Sequence, residues 1–303
     1  MSFRLETSIA GLRLRNPIVK ASGVLDDKPE LLDRLLSEAC FGAVVTKSLT
    51  LEPREGYNPP IIVAAPGGGV INAVGLANPG ICAARSLVEA CRKHSTPVIV
   101  SIAPSNPHEA FELAAKAEEA GADAIEVNLS CPHVRGLGAS IVESPRTTYM
   151  IVREASAAAK IPVIAKLGYW DRIVDHASKA LEAGAKALTL INTVKAMKID
   201  IYTRRPVLTA VYGGLSGPPI RPLAVYTVYV VYRETRAEIM GCGGVDSWEA
   251  AIELALAGAR AVQIATALVL EGPRVVERIV SGVREYLEQN NLSWMDLVGA
   301  AHS

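Results

Sequence analysis

Polar residues stand at the ends of several short apolar runs. Lys47 closes Ala-Val-Val-Thr-Lys47, Asn128 closes Ala-Ile-Glu-Val-Asn128, and Lys166 sits near the end of Val-Ile-Ala-Lys-Leu167. Asn192 follows Ala-Leu-Thr-Leu-Ile191, and Thr266 follows Ala-Val-Gln-Ile-Ala265. Two lysine ammonium groups in a partly dry pocket are costly unless an anion joins them, so Lys47 and Lys166 together imply an anionic ligand or cofactor. Asn128 and Asn192 each carry a donor and an acceptor on one amide, suited to the edge of a cyclic imide such as a pyrimidine or a flavin. Gly243-Gly244 and Ala265-Thr266 end successive runs, where exposed backbone N–H groups can cradle a phosphate. A structural turn explains the glycine pair equally well by itself. Cys131, in Asn128-Leu-Ser-Cys-Pro-His133, lies just past one of these run ends. A thiol near lysines has its pKa lowered and can act as a base, although an inert loop thiol is the bland alternative. With His133 it offers no four-ligand metal set, and no metal is expected.

If these residues meet, a repeated architecture must bring them together. A phrase in which an Ala-rich helix ends at Gly and a β-branched run follows occurs four times, around Gly42, Gly121, Gly184 and Gly258. Each glycine stands where a helix C-cap favours left-handed backbone. Further strand-like runs at 17–23, 97–103, 162–167 and 238–244 bring the count to eight, the number of a closed α/β barrel. The expectation is one TIM (β/α)8 barrel domain over residues 1–303. Between the strands, 27–40 reads as a helix with Leu31, Leu32, Leu35 and Leu36 on one face. Another helix starts at Asn106-Pro-His-Glu109, with Asn as N-cap and Glu placed to close a capping box. Residues 223–232 read as either strand or helix, and the need for a crossover before 238 decides for helix. Residues 1–16 suggest a hairpin under the barrel, and 48–96 and 193–237 are long insertions on its C-terminal face, where barrel enzymes build their sites.

Composition narrows the function classes. With 31 basic and 31 acidic residues there is no electrostatic footprint for nucleic acid or an anionic membrane. No stretch reaches the roughly 20 apolar residues of a membrane helix. Five cysteines without CxxC spacing argue against a disulfide framework, and most are expected to be buried thiols in a cytoplasmic protein. Gln263 and Gln289 are the only glutamines.

Eight ordered motifs now carry a resemblance: Asn16-Pro-Ile-Val-Lys-Ala-Ser-Gly23, Val45-Thr-Lys-Ser-Leu-Thr-Leu-Glu-Pro-Arg54, Ile71-Asn-Ala-Val-Gly-Leu-Ala-Asn-Pro-Gly80, Asn128-Leu-Ser-Cys-Pro132, Ala165-Lys-Leu167, Ile191-Asn-Thr193, Gly213-Gly-Leu-Ser-Gly-Pro218 and Met240-Gly-Cys-Gly-Gly-Val245. Across nearly its whole length the chain resembles the dihydroorotate dehydrogenases. The resemblance implies oxidation of dihydroorotate to orotate in pyrimidine biosynthesis, with noncovalent FMN and Cys131 as the base. It implies FMN contacts from Ala21, Ser22, Gly23, Lys47, Ser48, Asn128, Lys166, Asn192, Ser216, Gly217, Gly243, Gly244, Ala265 and Thr266. It implies pyrimidine contacts from Lys47, Asn72, Val74, Gly75, Leu76, Asn128, Asn192 and Thr193. A cysteine base marks the soluble enzymes of the family. The Thr50-Leu-Glu-Pro-Arg54 and Ile191-Asn-Thr193 wording is closer to the NAD-linked class, which works with a second subunit carrying FAD and a [2Fe–2S] cluster. A homo-oligomer is also expected. His133, Ala265 and Ser101 depart from the family pattern. The alternative reading is another FMN barrel that reduces a different pyrimidine.

Overall fold

Short runs of β-branched and alanine residues form strands here because both of their faces are covered. In the computed structural model, which describes residues 4–25, 28–130 and 144–302, every residue of Val98–Ile102, Ala124–Asn128, Val163–Leu167 and Ala187–Leu190 is buried. Eight strands close into a parallel barrel: β1 (Ile18–Lys20), β2 (Ala43–Val45), β3 (Val98–Ile102), β4 (Ala124–Asn128), β5 (Val163–Leu167), β6 (Ala187–Leu190), β7 (Ile239–Cys242) and β8 (Ala259–Ile264). They pair in chain order, and β8 returns to β1 through Val262 opposite Ile18. The expected (β/α)8 barrel is therefore present, with each of the eight anticipated strands in it.

Helices α1 (Pro29–Glu38), α2 (Ala84–Arg92), α3 (Pro107–Glu119), α4 (Pro145–Ala158), α5 (Ile173–Glu182), α6 (Arg221–Thr235), α7 (Trp248–Ala257) and α8 (Arg274–Gln289) supply the outer layer. Residues 223–232 are helical as read, within α6. Asn106 caps α3 by accepting from the Glu109 amide at 3.0 Å, and Glu109 reaches back one residue further than anticipated, to the Ser105 amide at 2.7 Å. Leu32, Leu35 and Leu36 of α1 are buried, whereas Leu31 is 41% exposed and does not join that face.

Strand alternation splits the core. Ile18, Val44, Val98, Val100, Ile125 and Val127 pack outward among the helices, while Val19, Val45, Ile99, Ala124, Ile164, Ala187, Met240 and Ala261 pack together inside. The N-terminal hairpin, Thr7–Ile9 against Leu12–Leu14, adds Ile9 and Leu14 to that inner cluster. At the opposite end the two insertions join in one antiparallel sheet ordered Val194–Ala196, Gly213–Ser216, Gly69–Asn72 and Ile62–Ala65. Among the described residues no helix is long and apolar enough to cross a membrane.

Two local expectations need correction. Gly121, Gly184 and Gly258 have positive φ, but Gly42 does not. Its requirement is space, since a Cβ there would lie 2.0 Å from the Asn16 carbonyl oxygen. Cysteine burial was also overestimated: of the four described cysteines, Cys40 and Cys82 are exposed, Cys242 is intermediate and only Cys91 is buried. The exposed pair lie at the end of α1 and just before α2, at the edge of the outer layer rather than under it.

Candidate active site

Further along each strand the inner residues change character. Above the apolar layer, Ser101, Glu126, Lys166, Thr189 and Gln263 all point into the barrel and are all at least 96% buried. Glu126, with no exposed surface, accepts hydrogen bonds at Oε2 from Thr189 Oγ1 (2.9 Å) and Gln263 Nε2 (2.8 Å). Its Oε1 lies 3.4 Å from Lys166 Nζ, an ion pair by distance without a well-directed hydrogen bond at that oxygen. Lys166 Nζ donates to Gln263 Oε1 at 3.3 Å, so four strands are tied at one level. The sequence reading gave Lys166 an exogenous anion as partner. The structure gives it Glu126.

A second network of side chains lies above. Asn128 Nδ2 donates to Ser48 Oγ at 3.0 Å, and Ser48 shares hydrogen bonds with Ser22 (3.0 Å) and Ser101 (2.8 Å). Asn128 Oδ1 accepts from the Ser130 amide (3.2 Å) and from Asn192 Nδ2 (3.3 Å), and Asn192 Nδ2 also donates to Ser130 Oγ (2.9 Å). Asn192 in turn accepts from the Thr193 amide at 2.8 Å. Both asparagine amides are thus fixed in orientation before any ligand arrives, which is the preorganisation that ring recognition requires.

These groups line a cavity of about 550 Å³ between the barrel mouth and the insertion sheet. Ser22, Gly23, Lys47, Ser48, Asn128, Lys166, Asn192 and Thr193 come from the barrel side, and Asn72, Val74, Gly75, Leu76 and Ser216 from the insertions. A smaller cavity of about 240 Å³ adjoins it, sharing Ser22, Lys166, Asn192, Thr193, Ser216, Ala265 and Thr266 and adding Ala21, Gly217, Gly243 and Gly244. Every described residue anticipated from the sequence is therefore brought to one continuous space. The loop carrying Val74, Gly75 and Leu76 is held by buried Asn78, whose Oδ1 accepts from the Thr50 and Gly80 amides and whose Nδ2 donates to the Leu76 carbonyl.

The lining of this space suits a flavin that carries a phosphate. Gly23 has φ +93° and an added Cβ would meet no atom of the described residues within 4 Å, so among them the glycine leaves ligand room. Gly243 and Gly244 have φ of +130° and +74°, and a Cβ on either would press on Ala224 or Arg221 at 2.9 or 2.5 Å. Only glycine lets this backbone turn beside Thr266, whose hydroxyl donates to Ser216 Oγ at 2.9 Å. Lys166, Asn128, Asn192 and several hydroxyls form a donor set matched to a polar heterocycle, with the glycine turns at one end for a phosphate.

Cys131 and His133 lie outside the described residues. Ser130, immediately before, is buried against Asn128 and Asn192. Cys242 lines the smaller cavity; burial pushes its thiol up, opposed by the Lys166 charge and reinforced by Glu126, so it remains a protonated thiol near neutrality. Sequence reasoning missed Glu126, Thr189, Gln263 and Ser130. Strand alternation was the available signal, because Glu126 is two residues before Asn128 and Gln263 two before Ala265.

The family model for dihydroorotate dehydrogenase matches residues 4–287. A protein of Aeropyrum pernix, named putative dihydroorotate dehydrogenase A (fumarate), is 51% identical over 300 residues, covering 98% of this chain and 97% of its own. Proteins of Thermoplasma acidophilum and Methanothermobacter thermautotrophicus, each named dihydroorotate dehydrogenase B (NAD(+)), catalytic subunit, are 45% identical over 299 and 307 residues. The first alignment covers 98% of both chains and the second 100% of both.

Proposed function

This chain belongs to the dihydroorotate dehydrogenase family, and on that premise we propose that it is a single FMN-dependent barrel domain in which Cys131 is the base. It is an enzyme of pyrimidine biosynthesis that oxidises dihydroorotate to orotate. The observation that carries the assignment of the site is the convergence of Lys47, Asn72, Asn128, Lys166 and Asn192 on one cavity. Bound FMN supplies the hydride acceptor. Gly243, Gly244, Ala265 and Thr266 hold its phosphate, while Ala21, Ser22, Gly23, Ser48, Lys166, Ser216 and Gly217 contact its ring. Lys47 meets the substrate carboxylate. Asn72, Asn128, Asn192 and Thr193 read the pyrimidine edge, with Val74, Gly75 and Leu76 closing around it. Cys131 takes the proton from C5 of dihydroorotate as hydride leaves C6.

The electrons then pass to NAD through a separate FAD and [2Fe–2S] subunit. Two relatives named as NAD-linked catalytic subunits support this, as do the Thr50-Leu-Glu-Pro-Arg54 and Ile191-Asn-Thr193 motifs. The relative named as fumarate-linked favours direct reoxidation by fumarate instead. The free thiols of Cys40, Cys82, Cys91 and Cys242 fit a reducing, cytoplasmic setting, and the exposed Ile199, Ile201 and Tyr202 fit a homo-oligomer.

The test is an anaerobic absorbance spectrum before and after dihydroorotate. A yellow flavin band should bleach, and Cys131→Ala should keep the band but bleach ~10²–10⁴-fold more slowly. Wild-type bleaching in that variant removes Cys131 from the mechanism, and a protein that cannot be loaded with FMN overturns the cofactor. Reoxidation of the bleached protein by fumarate alone would overturn the NAD-linked assignment; reoxidation by NAD only after the FAD and [2Fe–2S] subunit is added supports it.

A further inference from the structure

The proposed reaction leaves one buried carboxylate without a task. Glu126 lies in the middle of β4 with no exposed surface, and it lines neither cavity. Burying a carboxylate and an ammonium together is expensive, and a neutral pair of similar volume would pack at lower cost. Lys166 does line both cavities, so any influence of Glu126 on a bound ligand passes through that lysine. The connection is tightly built: Oε1 faces Lys166 Nζ at 3.4 Å, and Gln263 donates to Oε2 while accepting from the same Nζ. One of the chain's two glutamines is thus placed as a bridge between the two charges.

We infer that Glu126 is a positioning residue that fixes Lys166 at the cavity floor and offsets its positive charge, thereby lowering the reduction potential of the flavin above it. The inference rests on the FMN reading of the site. A counter-ion this close cancels much of the lysine's field in a poorly screened interior. The floor is then a polar donor with little net charge. Without Glu126, the full Lys166 charge would favour the reduced flavin, which carries more negative charge than the oxidised form.

Glu126→Gln tests this, because glutamine keeps the shape and a carbonyl for its neighbours. The readout is the FMN midpoint potential in the loaded protein, measured by anaerobic dye-coupled titration. The variant should retain FMN and titrate at a higher potential, with the reduced-to-oxidised ratio at a fixed potential raised roughly tenfold or more. Thr189→Val removes a hydrogen bond from Glu126 but no charge, and should titrate close to wild type. Glu126→Asp, which keeps the charge but draws it back from Nζ, should raise the midpoint in the same direction by less, and it carries the test if Glu126→Gln fails to fold. An unchanged midpoint in Glu126→Gln, or in Glu126→Asp where the first does not fold, or an equal rise in Thr189→Val overturns the inference. A wild-type protein that takes up no FMN defeats the functional reading instead.

Discussion

Lys47 and Lys166 look alike in the sequence and differ in the structure. Lys166 is 4% exposed and faces Glu126, whereas no hydrogen bond or ion pair among the described residues ends on the ammonium of half-buried Lys47. A half-buried cation with no counter-ion gains most from an arriving anion, and a charge-assisted hydrogen bond contributes about 1.5–3 kcal/mol. Lys47→Ala should therefore raise KM for dihydroorotate roughly 10- to 100-fold, a larger change than any loss of FMN content. Steady-state kinetics beside flavin quantification checks it, and an unchanged KM would move the carboxylate elsewhere in the cavity. The polar residues at strand ends were legible because the strand interiors around them are apolar. Glu126, Thr189 and Gln263 were less so, since each sits inside such an interior and its partners are on strands 40 to 137 residues away. Alternation could have turned Glu126 inward, but only the closed barrel reveals that Lys166, Thr189 and Gln263 meet it there.

At the scale of elements, helix ends and strands were readable where the determining chemistry is local. Asn106 and Pro107 start α3, and Gly258 ends α7 with φ +125°. Gly42 shows where that logic stops: its neighbours look like those of a C-cap, yet the helix ends at Glu38 with Ala39 as its cap, and the glycine serves a close crossing between chain segments. Its amide donates to the Ile18 carbonyl at 2.8 Å, pinning the entry of β2 beside β1. A Cβ 2.0 Å from backbone oxygen cannot be relieved by a side-chain rotation. Gly42→Ala should cost at least the ~1–3 kcal/mol typical of overpacking, read as a lower denaturation midpoint. An unaffected midpoint would mean that the two strands part more easily than their packing indicates. The insertion sheet was not legible for a related reason. Its central pairing joins Asn72 to Gly214, with a glycine-rich strand that has little side-chain pattern to read.

The whole molecule is layered along the barrel axis. The hairpin closes the bottom, an apolar layer follows, then the Glu126–Lys166 level, then the cavity, and finally the insertion sheet. This order separates stability from function, because the ends of a barrel are built by different loops. Ile9 is fully buried in the lower cluster, and the hairpin is anchored by the Ala10 amide donating to Glu238, which also pairs with Arg260 at 2.7 Å. Ile9→Ala should lower stability by roughly 2–5 kcal/mol in a denaturant titration. KM for dihydroorotate should stay at its wild-type value, since Ile9 lines neither cavity at the other end. A raised KM would show that the lower plug also shapes the site, for instance by keeping water from the buried ion pair, and the separation of the two ends would then fail.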